Sequence, residues 1–222
     1  MNTRLTYRNN PLLHPTALIA SILVTMICLT GPAFSIDPNN PDWPCTQRKV
    51  LALTATQIWD GPPVTNTMPW RNSNEIRQLV KVLMSRRIPV EEAEKAIEKF
   101  ASSLPKEKKD EQLTLLFAGF LDQTNARRTK IVKGVEKINV RQRARAKELE
   151  HQGVALAKLE DRAKAGEKGL AKKIEEAQKA YDWDARVFKE RQERIPLACE
   201  IPILIEQRAF AIARAIRNHM DE

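Results

Sequence analysis

The sequence predicts an all-α protein, and three observations carry that expectation. None of the 13 prolines lies between Lys106 and Ile195, so some ninety consecutive residues lack the residue that breaks helices. That stretch is rich in Ala, Glu, Lys, Arg and Leu, the strongest helix formers. Along it, apolar residues recur at 3–4 spacing, the period of one helical face. A sandwich of strands would instead show turn signals every roughly 8–12 residues. With 42% hydrophobic residues, 7 Gly and 3 Cys in 222 residues, the chain is neither disordered nor collagenous nor a disulfide-dense miniprotein. The expected architecture is a small helical base with a long antiparallel helical hairpin, a coiled-coil-like arm. An irregular Trp/Pro-rich N-terminal segment is pinned to it.

Residues 1–35 read as a signal peptide. Arg4 and Arg8 form a positive start, residues 17–29 are apolar, and Ala33-Phe34-Ser35 places small residues at −3 and −1 of a cleavage site. The apolar run falls short of the roughly 20 residues of a membrane span. The alternative is an uncleaved N-terminal anchor. Either outcome places the remainder in an oxidising compartment, periplasmic or secreted, where disulfides persist. Removing Arg4 and Arg8 lowers the formal charge from +9 to +7 and leaves two cysteines, Cys45 and Cys199. They lie 154 positions apart, unlike the Cys-x-x-Cys of redox proteins, so a structural disulfide is expected. In the chain-entropy picture so long a loop contributes about 5 kcal/mol.

Residues 36–71 form the extended segment. Each proline of Asp37-Pro-Asn-Asn-Pro-Asp-Trp-Pro44 disfavours helix at the residue before it. Residues 51–59 read as a short strand or one or two helical turns, ended by Gly61-Pro62-Pro63. Trp43, Trp59 and Trp70 are expected to anchor this irregular chain to a helical body. An aromatic ligand platform, with a small-ligand or enzymatic role, is the alternative.

Residues 72–105 read as a short helical pair. Asn72-Ser73-Asn74-Glu75 offers an N-cap and a capping box, followed by the stripe Ile76, Leu79, Val80, Leu83, Met84. Pro89 separates it from a second amphipathic helix with Ala93, Ala96, Ile97 and Phe100 inward, and Pro105 ends that one. Both are too short to stand alone in water.

Residues 106–222 carry the hairpin and a C-terminal helix. A seam runs Phe117, Phe120/Leu121, Thr124, Arg128, Ile131, Val135, Ile138, Gln142, Arg145, Leu149, Gln152, Leu156, Leu159, Ala163. The return limb repeats it with Leu170, Ile174, Ala177, Tyr181, Asp184, Phe188, Arg191 and Ile195. Pro196 and Pro202 are expected to interrupt, with a last helix from about Pro202 to Asn218 that is apolar over a wide face. A tip near Glu167, between Gly166 and Gly169, sets Ile131 opposite Ile203, Arg128 opposite Glu206 and Phe120 opposite Arg214. Gly153 is the rival tip. Such a seam pairs within one chain or between chains, so a homo-oligomer stays open.

Residues 127–147 hold nine cations and one acid, Glu136. Helical spacing spreads the nine around the helix. Their candidate roles are attraction to a protein partner in the cell envelope or to an anionic membrane surface. Nucleic acid is disfavoured, because export removes the chain from it and no base-reading motif is present. The bland alternative is ion pairing with Glu175, Glu176, Asp182, Asp184, Glu190 and Glu193 of the return limb. The candidate interaction surface comprises Arg127, Lys130, Lys133, Lys137, Arg141, Arg145 and Trp183, with Arg128–Glu206 as an ion pair fixing register. No metal-ligand spacing, cofactor fingerprint or nucleophile motif is present, so neither cofactor nor catalytic residue is expected.

Asp42-Trp43-Pro44-Cys45 and Trp59-Asp60-Gly61-Pro62, with Leu115-Leu116-Phe117-Ala118-Gly119 and Cys199-Glu200-Ile201-Pro202, resemble stretches of a group of uncharacterised exported proteobacterial proteins. The resemblance covers most of the mature chain. It implies export and paired cysteines and brings no activity with it. The expected function is that of an exported, non-catalytic adaptor, scaffold or chaperone-like protein acting through the arm. A membrane-anchored accessory subunit of an envelope complex is the alternative.

Overall fold

The computed structural model describes residues 40–65 and 68–221; the expected signal segment, residues 1–35, lies outside them. The described chain is all-α, without strands. Its helices are α1 (Ala55–Ile58), α2 (Asn74–Met84), α3 (Val90–Ser103), α4 (Lys106–Lys164), α5 (Ala171–Gln192) and α6 (Ile195–Arg217), with a 3-10 turn at Trp70–Asn72.

Local chemistry sets the boundaries. Ser73 Oγ accepts from the Ile76 amide at 3.2 Å and caps α2. Glu75 falls at the second helical position, one residue too early for the capping box. A reciprocal glutamine contact forms instead at α1, where the Thr54 amide donates to Gln57 Oε1 at 2.9 Å. Leu104, preceding Pro105, takes an extended ψ of 140° and ends α3, as crowding by a following proline ring requires.

The base packs α2 and α3 against the first turns of α4 and the last turns of α6. Ile76, Leu83, Ile97, Leu113, Leu116, Phe117, Phe120, Ile212 and Ile216 are fully buried there. At ~1.5–3 kcal/mol per buried large side chain, this cluster is the main driving force for folding. The N-terminal segment wraps it. All three of its tryptophans are buried, the state of anchors. Trp59 stacks on Phe117 with ring centroids 4.1 Å apart and donates from Nε1 to the Pro62 carbonyl. Asn125 on α4 holds Leu53 from both sides: its Oδ1 accepts from the Leu53 amide at 2.8 Å and its Nδ2 donates to the Leu53 carbonyl at 2.9 Å. Extended backbone is thereby satisfied by one side chain rather than by a neighbouring strand.

A second cluster lies farther along the arm. Cys45 and Cys199 form a disulfide with Cα atoms 5.5 Å apart, beside Trp43, Val132, Val135 and Ile195. Gln47 strengthens this attachment by donating to the Cys199 carbonyl at 2.5 Å.

The arm itself is α4 and α5. Over 59 residues α4 extends about 88 Å at 1.5 Å per residue. Its turn lies at Gly166 and Gly169, whose φ values of 92° and 83° suit a residue without Cβ. Gly153 is not the tip. It lies inside α4, where an added Cβ would meet the Tyr181 ring at an ordinary 3.5 Å. Across the hairpin, Gln142 Nε2 donates to the Phe188 carbonyl and Gln152 Nε2 to Asp184 Oδ2. Polar seam positions thus serve as register pins. No residue of α5 is fully buried, so the arm is thin.

Three further expectations needed correction. First, α6 starts at Ile195 and runs through Pro202 instead of starting there. A proline inside a helix costs about 3 kcal/mol through its missing N–H and ring clash. The missing N–H is the one that would bond the Ala198 carbonyl. Pro202 is buried, and the neighbouring Cys199 and Pro202 carbonyls accept from Gln47 and Arg128, so packing and tertiary hydrogen bonds hold the helix together around it. Glu193 and Arg194 keep right-handed helical dihedrals, making α5 and α6 nearly one limb. Second, Ile138 leaves the seam and is 47% exposed, because Gln142 and Val135 occupy the contact around it. Third, Ile203 and Arg214 are exposed rather than facing α4. Equal offsets from the tip set height along the arm but not the rotation of the helix. Ala209, Ile212, Ala213 and Ile216 are the buried face of α6, and Ile203, Leu204 and Phe210 are left at the surface.

Candidate interaction surface

The nine cations of residues 127–147 divide by partner. Arg128 is buried. Its Nε donates to the Val50 carbonyl at 2.9 Å, its Nη1 to the Pro202 carbonyl at 2.7 Å, and its Nη2 lies 3.3 Å from Glu206 Oε2. One guanidinium therefore ties the N-terminal segment, α4 and α6 together. Arg143 pairs with Asp42, and Arg145 with Asp184 at 3.6 Å. Glu136, the single acid of the stretch, is taken by Lys49.

The other six, Arg127, Lys130, Lys133, Lys137, Arg141 and Lys147, have no acidic partner among the described residues. Pairing with the return limb accounts for little of the stretch. Of the six return-limb acids only Asp184 reaches across. Glu175 is held by Lys179 and Glu176 by Lys172 within α5 itself, while Asp182, Glu190 and Glu193 are on its exposed side.

The unpaired cations do not surround the helix. Lys130, Lys133, Lys137 and Arg141 follow one another at spacings of 3, 4 and 4, which is one face of α4. All four are exposed and span about 16 Å. An added Cβ at Gly134, within the same stretch, meets nothing within 4 Å, so the surface there is open. Toward the base the positive face continues. A groove of about 490 Å³ between α2 and α4 includes Arg77, Lys81, Arg127 and Lys130 in its lining. On the arm, a groove of about 950 Å³ is lined by Arg141, Arg145, Arg191 and Arg194, with Glu148 and Asp184 beside them. Trp183, 63% exposed on α5, is the most exposed large apolar side chain described. Such a ring left in water is a candidate contact for another molecule.

A second positive group escaped the sequence reading. Arg127 and Arg208 converge on the C-terminal end of α2. Arg127 Nη1 donates to the Met84 carbonyl at 2.7 Å, Arg208 Nε to Leu83 at 2.9 Å, and Arg208 Nη1 to Ile88 at 3.0 Å. Burial, then repulsion from Arg127, push the Arg208 guanidinium below its usual pKa. Arg86 and Arg87, exposed in the turn after α2, stand close by. The available signal was an arginine, Arg208, set among apolar residues of α6, but its neighbours come from α2 and α4 and are invisible to local pattern.

Among the described residues no group of three or more His, Cys, Asp or Glu is placed to hold a metal ion, and no helix is long and apolar enough to cross a membrane. The fold and surface define a class: a disulfide-tied helical protein with a long, positively charged arm. No protein-family model, curated protein or solved structure matches the chain.

Proposed function

We propose that this is an exported, non-catalytic adaptor that engages an acidic protein partner in the cell envelope through the basic face of its arm. The observation that carries the reading is the stripe Lys130, Lys133, Lys137, Arg141, exposed and without acidic partners among the described residues. A merely solvated helix interleaves both signs, and α5 does so with its Lys172–Glu176 and Glu175–Lys179 pairs. Cations segregated onto one face raise the local positive potential and speed encounter with an opposite charge. The disulfide supports placement in an oxidising compartment, and the periplasm is the proposed one. Membership of the exported proteobacterial group that the Trp43-Pro44-Cys45 and Trp59-Asp60-Gly61 segments resemble belongs to the same proposal.

The test is cross-linking from positions flanking the stripe in an envelope fraction, with wild type and a variant carrying Lys130→Gln, Lys133→Gln, Lys137→Gln and Arg141→Gln. All four side chains are exposed, so folding should be unaffected. A partner captured by wild type, released by salt and lost in the variant supports the adaptor reading. Equal capture by both proteins overturns it. Preferential retention on anionic vesicles favours the membrane-associated alternative.

A further inference from the structure

Beneath Arg127 and Arg208 lies a small recess of about 50 Å³ between α2, α4 and α6. Leu83, Met84, Phe120 and Ile205 make its apolar part, and Leu204, 54% exposed, stands at the surface beside it. Three arginines, Arg86, Arg127 and Arg208, line it, with no carboxylate among the lining residues. A shallower depression shares Met84, Arg86 and Arg127 with it and adds Arg87. Three guanidinium groups therefore line one apolar recess, with Arg87 in the depression beside it, and none of the four forms an ion pair among the described residues.

The carbonyls of Leu83, Met84 and Ile88 satisfy some of these donors. They do not neutralise the charge, because a helix C-terminus supplies only about half an elementary charge. The Nη2 of Arg208 is buried and has no hydrogen-bond partner. A buried donor left unpaired carries a desolvation cost that an incoming acceptor removes. Guanidinium groups match oxyanions by presenting planar, forked donors. The apolar floor holds only a few heavy atoms, since one water needs about 10–15 Å³ of such volume. It suits the first carbons of a chain whose remainder lies along Leu204 and Ile201.

We propose that this recess binds an anionic amphiphile: a phosphate or carboxylate head held by Arg127 and Arg208, with the adjoining alkyl carbons seated against Leu83, Phe120 and Ile205. The recess adjoins the base end of the basic face through Arg127, but it includes none of the four stripe residues and does not depend on the adaptor reading.

Isothermal titration calorimetry with octyl phosphate below its micelle concentration tests this, with octanol and inorganic phosphate as parallel titrants. Octyl phosphate is expected to bind at least tenfold more tightly than either. Arg208→Gln is expected to weaken it at least tenfold. Arg208 also bonds Leu83 and Ile88, so Leu204→Glu gives an independent variant at an exposed position and should weaken binding similarly by repulsion. Lys137→Gln, on the stripe, should leave it unchanged. Inorganic phosphate binding as tightly as octyl phosphate would reduce the site to a free-anion site and overturn the proposal. Octanol binding equally would remove the role of the arginines and overturn it too. So would undetectable octyl phosphate binding at millimolar concentration, or unchanged affinity in Leu204→Glu. None of these results bears on partner capture by the stripe.

Discussion

Gly119 lies directly beneath the indole of Trp70. A Cβ added to Gly119 would come 2.7 Å from Trp70 Cδ2 and 2.8 Å from Cε3, closer than real Cβ atoms approach. Trp70 is buried, and Arg71 covers its ring with a guanidinium carbon 4.3 Å from the centroid, so the ring has little room to retreat. A glycine in mid-helix normally weakens the helix by about 0.5–1 kcal/mol relative to alanine. Here it is what lets the N-terminal segment dock.

Gly119→Ala should therefore destabilise the protein by about 1 kcal/mol or more, since overpacking costs about 1–3 kcal/mol and outweighs the gain in helix propensity. Gly134→Ala, on the same helix but facing open space, should stabilise it by about 0.5–1 kcal/mol. Urea denaturation of the two variants checks both signs. Stabilisation by Gly119→Ala would mean that Trp70 does not pack there.

Opening the Cys45–Cys199 bridge by double substitution to serine should lower stability by up to about 5 kcal/mol. The loss should be largest around Trp43, which shares that cluster. The indole N–H of Trp43, which donates to the Gln47 carbonyl, should exchange its hydrogen faster in the serine variant while the helical signal of the arm persists. Peptide mapping without reductant checks the bridge itself.

Arg128 should matter more than Glu206. Arg128→Ala leaves the Val50 and Pro202 carbonyls without their donor in a buried site, at a cost of about 2–4 kcal/mol together. Glu206 is 42% exposed in its side chain, and Glu206→Gln should cost about 1 kcal/mol or less. Exchanging the two charges should not restore stability, because a carboxylate at position 128 would face two carbonyl oxygens. A double-mutant cycle measured by denaturation separates these effects.

At the arm tip, Arg162 donates to both carboxylate oxygens of Glu167, at 2.8 and 2.5 Å. The hydrogen bonds, with Arg162 and Lys173 charges adding to them, hold the Glu167 pKa below its usual value. A depressed folded pKa means that the contact contributes above the unfolded glutamate pKa and is lost as pH falls through the folded value. Both groups are exposed, so the effect on global stability should be small and screened by salt. An NMR titration of Glu167 should show a low midpoint that rises in Arg162→Gln.

Periodicity and punctuation made the helices legible. The proline-free run, the stripe from Ile76 to Met84 and the glycines at 166 and 169 each act through neighbouring backbone, so local pattern suffices to read them. Seam residues Gln142 and Gln152 were visible by spacing, although their acceptors on α5 were not. The segregation of Lys130, Lys133, Lys137 and Arg141 was half visible. Spacing places them on one face, but only the structure shows that Asp42, Asp184 and Glu206 neutralise other cations and leave these four among the six without an acidic partner.

By itself the sequence determined the all-α class, the hairpin with its turn at one of two candidate glycine positions, and the expected pairing of Cys45 with Cys199. These follow from backbone propensity, from apolar period and from counting. Tertiary structure alone decided which face of α6 is buried, that Pro202 is carried inside a helix, and that Arg127 and Arg208 meet over an apolar recess. Those outcomes depend on the rotation of one helix against another, and rotation is set by side-chain volumes and hydrogen-bond partners more than seventy residues apart in the chain.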